Sequence, residues 1–282
     1  MSITSRLKMI MRGIGIQRSA DWNKRWDRLP KDDQSVLTAT SMDSPQWTRA
    51  HEAIRQFVPT QLRMALELGS GSGKSCIALA QEYREANIVG IDSSLEAISL
   101  SSKGARLRRL TNCYFVTGKG EKMPFHSDSF DLTFSVGVVE HFLDPAFLLR
   151  EQVRVLRPGG CLVVSVPNLL NPFNFLYRLY AGDSYSYGIE RLFLHSQMET
   201  YLQDLGLKNI QRSGWSLFYR LTRLYRFNTT TGEVNDFWFS GYAKSLGEWL
   251  DKYLTPMLDR ISAGKISTYF GHEIIVKGEK PS

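Results

Sequence analysis

The chain has 282 residues, 43% hydrophobic and 22% charged, a balance that sets aside fibrous, disordered and low-complexity classes and allows one full core with appended segments. No apolar run reaches the ~18 residues of a membrane-crossing helix, and Arg6, Lys8 and Arg12 interrupt the opening residues, so neither a span nor a secretory leader is expected and cytoplasmic residence is. The net charge is +7, and residues 1–31 carry +6 of it, with eight basic residues against two acidic ones.

In that basic segment Ile3, Leu7, Ile10 and Ile14 recur at helical spacing. The pattern fits a helix lying on an anionic membrane surface, with a helix packed on the protein as the alternative; nucleic acid is not an expected partner. Trp22 and Trp26, four apart, mark a second helix whose aromatics pack on the core or cover a pocket. Residues 1–60 thus read as a basic, helical extension, ending in a helix from Pro45 to Val58.

Met64 to Leu68 is an apolar strand that runs into Gly69-Ser70-Gly71-Ser72-Gly73, and a helical pattern follows. Such a turn lets backbone approach a ligand closely, while the free N–H groups of the helix face negative charge. Spacing separates the ligand classes. A phosphate-gripping loop needs glycine five residues before Gly73-Lys74-Ser75, where Leu68 stands. A dinucleotide fingerprint starting at Gly69 needs glycine at 74, where Lys74 stands, so a nicotinamide-dependent enzyme is disfavoured. What remains is E-x-G-x-G-x-G, from Glu67 to Gly73.

The second strand, Asn87 to Asp92, ends in an acid 21 residues after Gly71. One right-handed crossover places Asp92 beside the glycine turn, where its two oxygens can take both hydroxyls of a ribose. A helix from Leu95 to Leu110 carries Lys103, Arg106, Arg108 and Arg109 on a solvated face. The third strand, Tyr114 to Val116, leads into Gly118-Lys119-Gly120-Glu121-Lys122-Met123-Pro124-Phe125, and a fourth begins at Phe130-Asp131 and passes through Ser135. Then come Gly137-Val138-Val139-Glu140-His141-Phe142 and a helix opened by Pro145; Arg157 to Gly160 is the expected stop before a fifth strand, Cys161 to Val166. His141 falls at the carboxyl end of the fourth strand, and an imidazole is a side chain suited to general-base work near neutral pH; the alternative is a pocket wall or helix cap.

Leu169 to His195 is rich in aromatics, including Phe173, Phe175, Tyr177, Tyr185, Tyr187 and Phe193. A helix from Ser196 to Leu205 and a strand from Leu207 to about Trp215 resume the core pattern. A second aromatic excursion, 216–268, contains Phe237, Trp238, Phe239 and the amphipathic stretch Leu246 to Ile261; Tyr269 to Gly278 is the last strand. Cys76, Cys113 and Cys161 are widely spaced in apolar segments, so reduced core thiols are expected and no metal site is.

Three stretches carry a resemblance: the E-x-G-x-G-x-G turn, the Gly118 to Phe125 run ahead of Phe130-Asp131, and the Glu140-His141 pair. They resemble the class I S-adenosylmethionine-dependent methyltransferases, closest to the small-molecule subgroup that includes the ubiquinone and menaquinone methyltransferases. The resemblance implies a Rossmann-like seven-stranded, mostly parallel α/β sheet with helices on both faces and an antiparallel last strand. On this basis residues 61–282 form the methyltransferase domain, with aromatic-rich insertions at about 169–195 and 216–268. It implies S-adenosylmethionine held by Glu67, Gly69, Gly71, Gly73, Asp92, Gly120, Glu121 and Ser135, and methyl transfer to a small apolar or aromatic acceptor. Lys119 stands where the family often has an aspartate that accepts from the adenine, so Gly120 backbone or Glu121 is expected to take over that contact. Lys119 also motivates the alternative, a methyltransferase fold that serves as a binding or regulatory subunit without activity.

Overall fold

The computed structural model describes residues 32–43, 45–181, 190–219, 225–227, 234–236, 240–262 and 264–282. The basic segment 1–31 with Trp22 and Trp26 lies outside them, as do Tyr185, Tyr187, Phe237, Trp238 and Phe239. Helices α1 (Asp33–Ala39) and α2 (Pro45–Arg55) precede the first strand. Strands and helices then alternate: β1 (Met64–Leu68), α3 (Lys74–Glu82), β2 (Asn87–Asp92), α4 (Leu95–Leu107), β3 (Cys113–Thr117), β4 (Phe130–Val136), α5 (Ala146–Val155) and β5 (Leu156–Pro167). Beyond them lie α6 (Pro172–Ala181), α7 (His195–Asp204), β6 (Lys208–Trp215) and the antiparallel pair β7 (Tyr225–Phe227) and β8 (Val234–Asp236). The chain closes with α8 (Ser240–Trp249), a wide π turn at Leu250–Leu254, α9 (Thr255–Ser262), α10 (Lys265–Phe270) and β9 (Glu273–Glu279).

Seven strands form one sheet in the order β3-β2-β1-β4-β5-β9-β6. The first five pair in parallel, and β9 lies antiparallel between β5 and β6, the architecture expected above. Strand residues alternate between two cores. Leu66, Leu68, Val89, Ile91, Leu162 and Val164 face one, while Ala65, Ile88, Leu132, Phe134 and Val163 face the other. Burial on both faces explains why these strands read as unbroken apolar runs.

At the amino end of β4, buried Asp131 accepts from the N–H groups of Arg63 and Met64 at 2.6 and 2.8 Å and pairs with Arg157. The Phe-Asp start of the fourth strand is thus a clamp between neighbouring strands, at the opposite end from the glycine turn.

The helix expected from Pro45 to Val58 ends at Arg55, and three further boundaries differ from the sequence expectation in ways the structure explains. Arg157 to Gly160, expected as a stop, lie inside β5, where the register with β4 shifts between Phe130 and Leu132. The cause is the C-terminus, whose Lys280 exchanges backbone hydrogen bonds with Gly159 and Gly160 at 2.9 and 2.8 Å. The last strand begins at Glu273 rather than Tyr269, because residues 265–270 coil into α10, whose Phe270 carbonyl accepts from Asn171. Helix α4 stops at Leu107, and Arg109 takes a positive φ of 56°.

Candidate functional site

Strand order reverses between β1 and β4, and in open α/β sheets the crevice above such a point is where ligands bind. A cavity of about 420 Å³ occupies it, within the range of small-molecule sites. Its lining comes from the glycine turn, the end of β2, the Gly118–Glu121 loop, the end of β4 and the turn through His141.

Gly69, Gly71 and Gly73 all take positive φ, at 71°, 50° and 75°, a backbone that side-chain-bearing residues rarely adopt. The turn is fastened to β2: Gly69 and Ser70 N–H donate to the Ile91 carbonyl at 2.8 and 3.1 Å, and Gly71 N–H donates to Asp92 Oδ2 at 2.9 Å. The other oxygen of Asp92 accepts from Ser94 N–H at 2.9 Å, while the Ser94 side chain caps α4. Each carboxylate oxygen keeps a free lone-pair direction, so the side chain is oriented by backbone without being used up.

Glu67 is buried at the carboxyl end of β1, where the Cys76 thiol donates to its Oε2 at 3.0 Å. Burial raises its carboxyl to about 7, against the opposing pull of hydrogen bonds from Cys76 and Ser75. The same burial and the facing carboxyl push the Cys76 thiol well up, which keeps it protonated. Glu67 therefore meets the start of α3 as a group poised near neutrality.

His141 ends a 3-10 turn, Val139–His141, and its Nε2 lies 3.8 Å from Glu140 Oε1. The end of the first aromatic segment reaches this turn, since Arg191 N–H donates to the Glu140 carbonyl at 3.0 Å.

Of the residues expected to bind cofactor, Glu67, Gly69, Gly71, Asp92, Gly120 and Glu121 line the cavity together with His141. Gly73 and Ser135 do not. Gly73 is the left-handed cap of α3, and a Cβ there would meet Ser101 Cβ at 2.6 Å and Phe115 Cζ at 2.7 Å, so its glycine serves helix packing. Ser135 is buried in β4, one residue short of the lining, and its hydroxyl has no partner among the described residues. Lys119 lines the cavity with an exposed side chain.

Sequence reading missed Trp47, Ser70 and Lys74. Trp47, on α2, stands at the cavity with the Lys74 ammonium 5.1 Å from its ring centroid. Ser70 presents a buried hydroxyl oxygen without a partner among the described residues. The alternating Gly-Ser of the turn was a signal for Ser70; nothing local marked Trp47, which reaches the site only by tertiary packing. Among the described residues, none from 169–195 or 216–268 lines the cavity. Phe193 belongs to the core and Phe173 packs on Phe218 at 5.5 Å, so those aromatics pack rather than cover.

Residues 66–164 match the family model described as "Methyltransferase domain". The chain is 31% identical over 105 residues to malonyl-[acyl-carrier protein] O-methyltransferase of Marinomonas sp., covering 37% of this chain and 38% of that protein. It is 29% identical over 159 residues to phthiotriol/phenolphthiotriol dimycocerosates methyltransferase 1 of Mycobacterium ulcerans, covering 56% of each. Both matches fall short of the relatives' full lengths. In fold it is similar to Haemonchus contortus phosphoethanolamine N-methyltransferase 2 in complex with S-adenosyl-L-methionine, with a TM-score of 0.59 at 17% identity over 93% of this chain and 60% of that one.

Proposed function

We propose that the chain is a class I S-adenosylmethionine-dependent methyltransferase that methylates a small, apolar or aromatic acceptor by in-line displacement. S-adenosylmethionine supplies, when bound, a methyl already made electrophilic by its sulfonium. The reading is carried by one juxtaposition: Asp92 fastened to the glycine turn at 2.9 Å, on the same cavity as His141. The residues present fit the cofactor. Asp92 has the acceptor capacity for two ribose hydroxyls, Gly69 and Gly71 allow close approach of the methionine end, and Gly120 with Glu121 stands on the adenine side. Buried Ser70 Oγ offers a further polar contact.

What remains for the protein is alignment and exclusion of water, tasks for Val138, Phe142 and Leu148 in the cavity wall. His141 accepts a proton from the acceptor where that acceptor carries one at attack. Residues 1–60 act as an extension to a methyltransferase domain of 61–282, and the basic segment 1–31 holds the protein near anionic membrane surfaces.

Titration calorimetry with S-adenosylmethionine tests the proposal directly: micromolar binding is expected, and no binding at high micromolar concentrations overturns it. The second reading, a methyltransferase fold acting as a binding subunit, rests on Lys119 replacing a carboxylate at the adenine corner. It predicts no turnover with any acceptor.

A further inference from the structure

The helical arm α8, the π turn and α9 turns its polarity inside out. Tyr242, Leu246, Trp249, Tyr253, Met257 and Ile261 are all exposed, Tyr242 by 83% and Ile261 by 77%. Steps of three and four keep them on one side of the rod. Repeated steps of four run ahead of a 3.6-residue turn, and the wide turn at Leu250–Leu254 takes up the difference. Two of the arm's three carboxylates, Asp251 and Asp259, point the other way. Asp251 is buried, accepting from Thr255 Oγ1 and Phe218 N–H at 3.0 Å each and from Ser216 Oγ, and it pairs with Arg49 at 3.5 Å. Asp259 accepts from Ser267 N–H at 2.8 Å and from its hydroxyl at 2.5 Å. Soluble helices normally hide the apolar stripe and solvate the acids.

We infer that this stripe is a docking surface for an anionic lipid bilayer, lying in the plane of the headgroups. Its composition fits that depth: Trp249 and Tyr253 pack at 5.7 Å between centroids, and such amphipathic rings settle at the membrane–water boundary. Lys252 and Arg260 are exposed on the arm and Lys265 at the start of α10 just beyond it, against Glu248 as an exposed acid, and Lys252 Nζ sits 5.1 Å from the Tyr253 ring. A positive border suits acidic headgroups, and two copies meeting face to face would bring these like charges together. No described helix is long and apolar enough to cross a membrane, so the arm lies on the bilayer. It is also wired toward the cavity, because Arg49, the partner of Asp251, is two residues from Trp47 on α2. Docking does not depend on the methyl-transfer proposal.

The test is co-sedimentation of the full chain with phosphatidylglycerol/phosphatidylcholine vesicles, alongside W249S/Y253S/I261S and K252E/R260E variants. Circular dichroism and thermal melting serve as fold controls. The native chain is expected to partition onto anionic vesicles at least tenfold more strongly than onto pure phosphatidylcholine. Both variants should lose at least tenfold while melting like the native chain; K252E/R260E remains the test should the triple variant misfold. Undiminished partition of the folded variants overturns the inference. So does a native chain that ignores vesicles, or one whose self-association the triple variant abolishes with vesicle binding unchanged.

Discussion

The two halves of the sheet use their polar groups in opposite ways. Around β1, β2 and β4, backbone and carboxylates converge on an open cavity: Asp92 is oriented by Gly71 and Ser94 and keeps capacity to spare, and Glu67 is buried at its floor. Around β5, β9 and β6, the polar side chains are consumed internally. Asn168, Asn171 and Asn174 are fully buried, and their amides donate to the carbonyls of Gly271, Phe270 and His272. His272 Nδ1 in turn meets Asn174 Oδ1 at 2.7 Å. One half is built to receive a ligand, the other to hold a scaffold for the exposed arm.

The sharpest way to break this contrast is Asp92→Ala. Losing two charge-assisted hydrogen bonds should cost about 3–4 kcal/mol, a fall of at least roughly 100-fold in S-adenosylmethionine affinity by calorimetry. Affinity within twofold of the native chain would mean that the ligand half does not bind through its central acid.

Glu67→Gln probes the same half through stability. With its carboxyl raised from 4.5 to about 7 by burial, folded Glu67 holds a proton that the unfolded chain has released between those values. Stability therefore falls as pH rises from about 4.5 to 7, by about 3 kcal/mol in all, and stays lower above that range. The Gln variant should melt higher than the native chain at pH 8 and about equally at pH 4.5. Parallel melting curves across that range would show that Glu67 ionises without penalty.

His141→Ala separates wall from base. As the acceptor's base, its loss should lower kcat by roughly 100-fold with cofactor affinity unchanged, and raising the pH should recover part of the rate. Unchanged turnover would leave His141 as a cavity wall.

The ligand half was legible because local spacing determines it. E-x-G-x-G-x-G requires positive φ at fixed offsets, and one helix plus one strand carries Asp92 back to Gly71, so β1 and β2 fell on their expected bounds. Gly73 shows where the same signal misleads: one glycine pattern serves both ligand approach and helix packing, and only Ser101 and Phe115 across the fold tell them apart. Trp47 and the arm were harder to read, since one gains its place through α2 packing. In the arm, an amphipathic pattern says nothing about which face turns outward. Asp251 decides that only because Ser216, Phe218 and Thr255 meet it.

Lys119→Asp gives the smallest expected effect and sharpens the choice between enzyme and binding subunit. Lys119 is exposed at the cavity rim, where its ammonium can only donate. A carboxylate there restores an acceptor for the adenine amino group, worth about 1.5 kcal/mol, or roughly tenfold in cofactor affinity. If the native chain is an enzyme, the variant should bind S-adenosylmethionine about tenfold more tightly and turn over no more slowly at low cofactor concentration. If the native chain binds no cofactor and the variant acquires binding, Lys119 is what silences the site, and the binding-subunit reading replaces catalysis. Equal micromolar affinity in both forms would instead place the adenine contact on Gly120 and Glu121, leaving the lysine without a part in recognition.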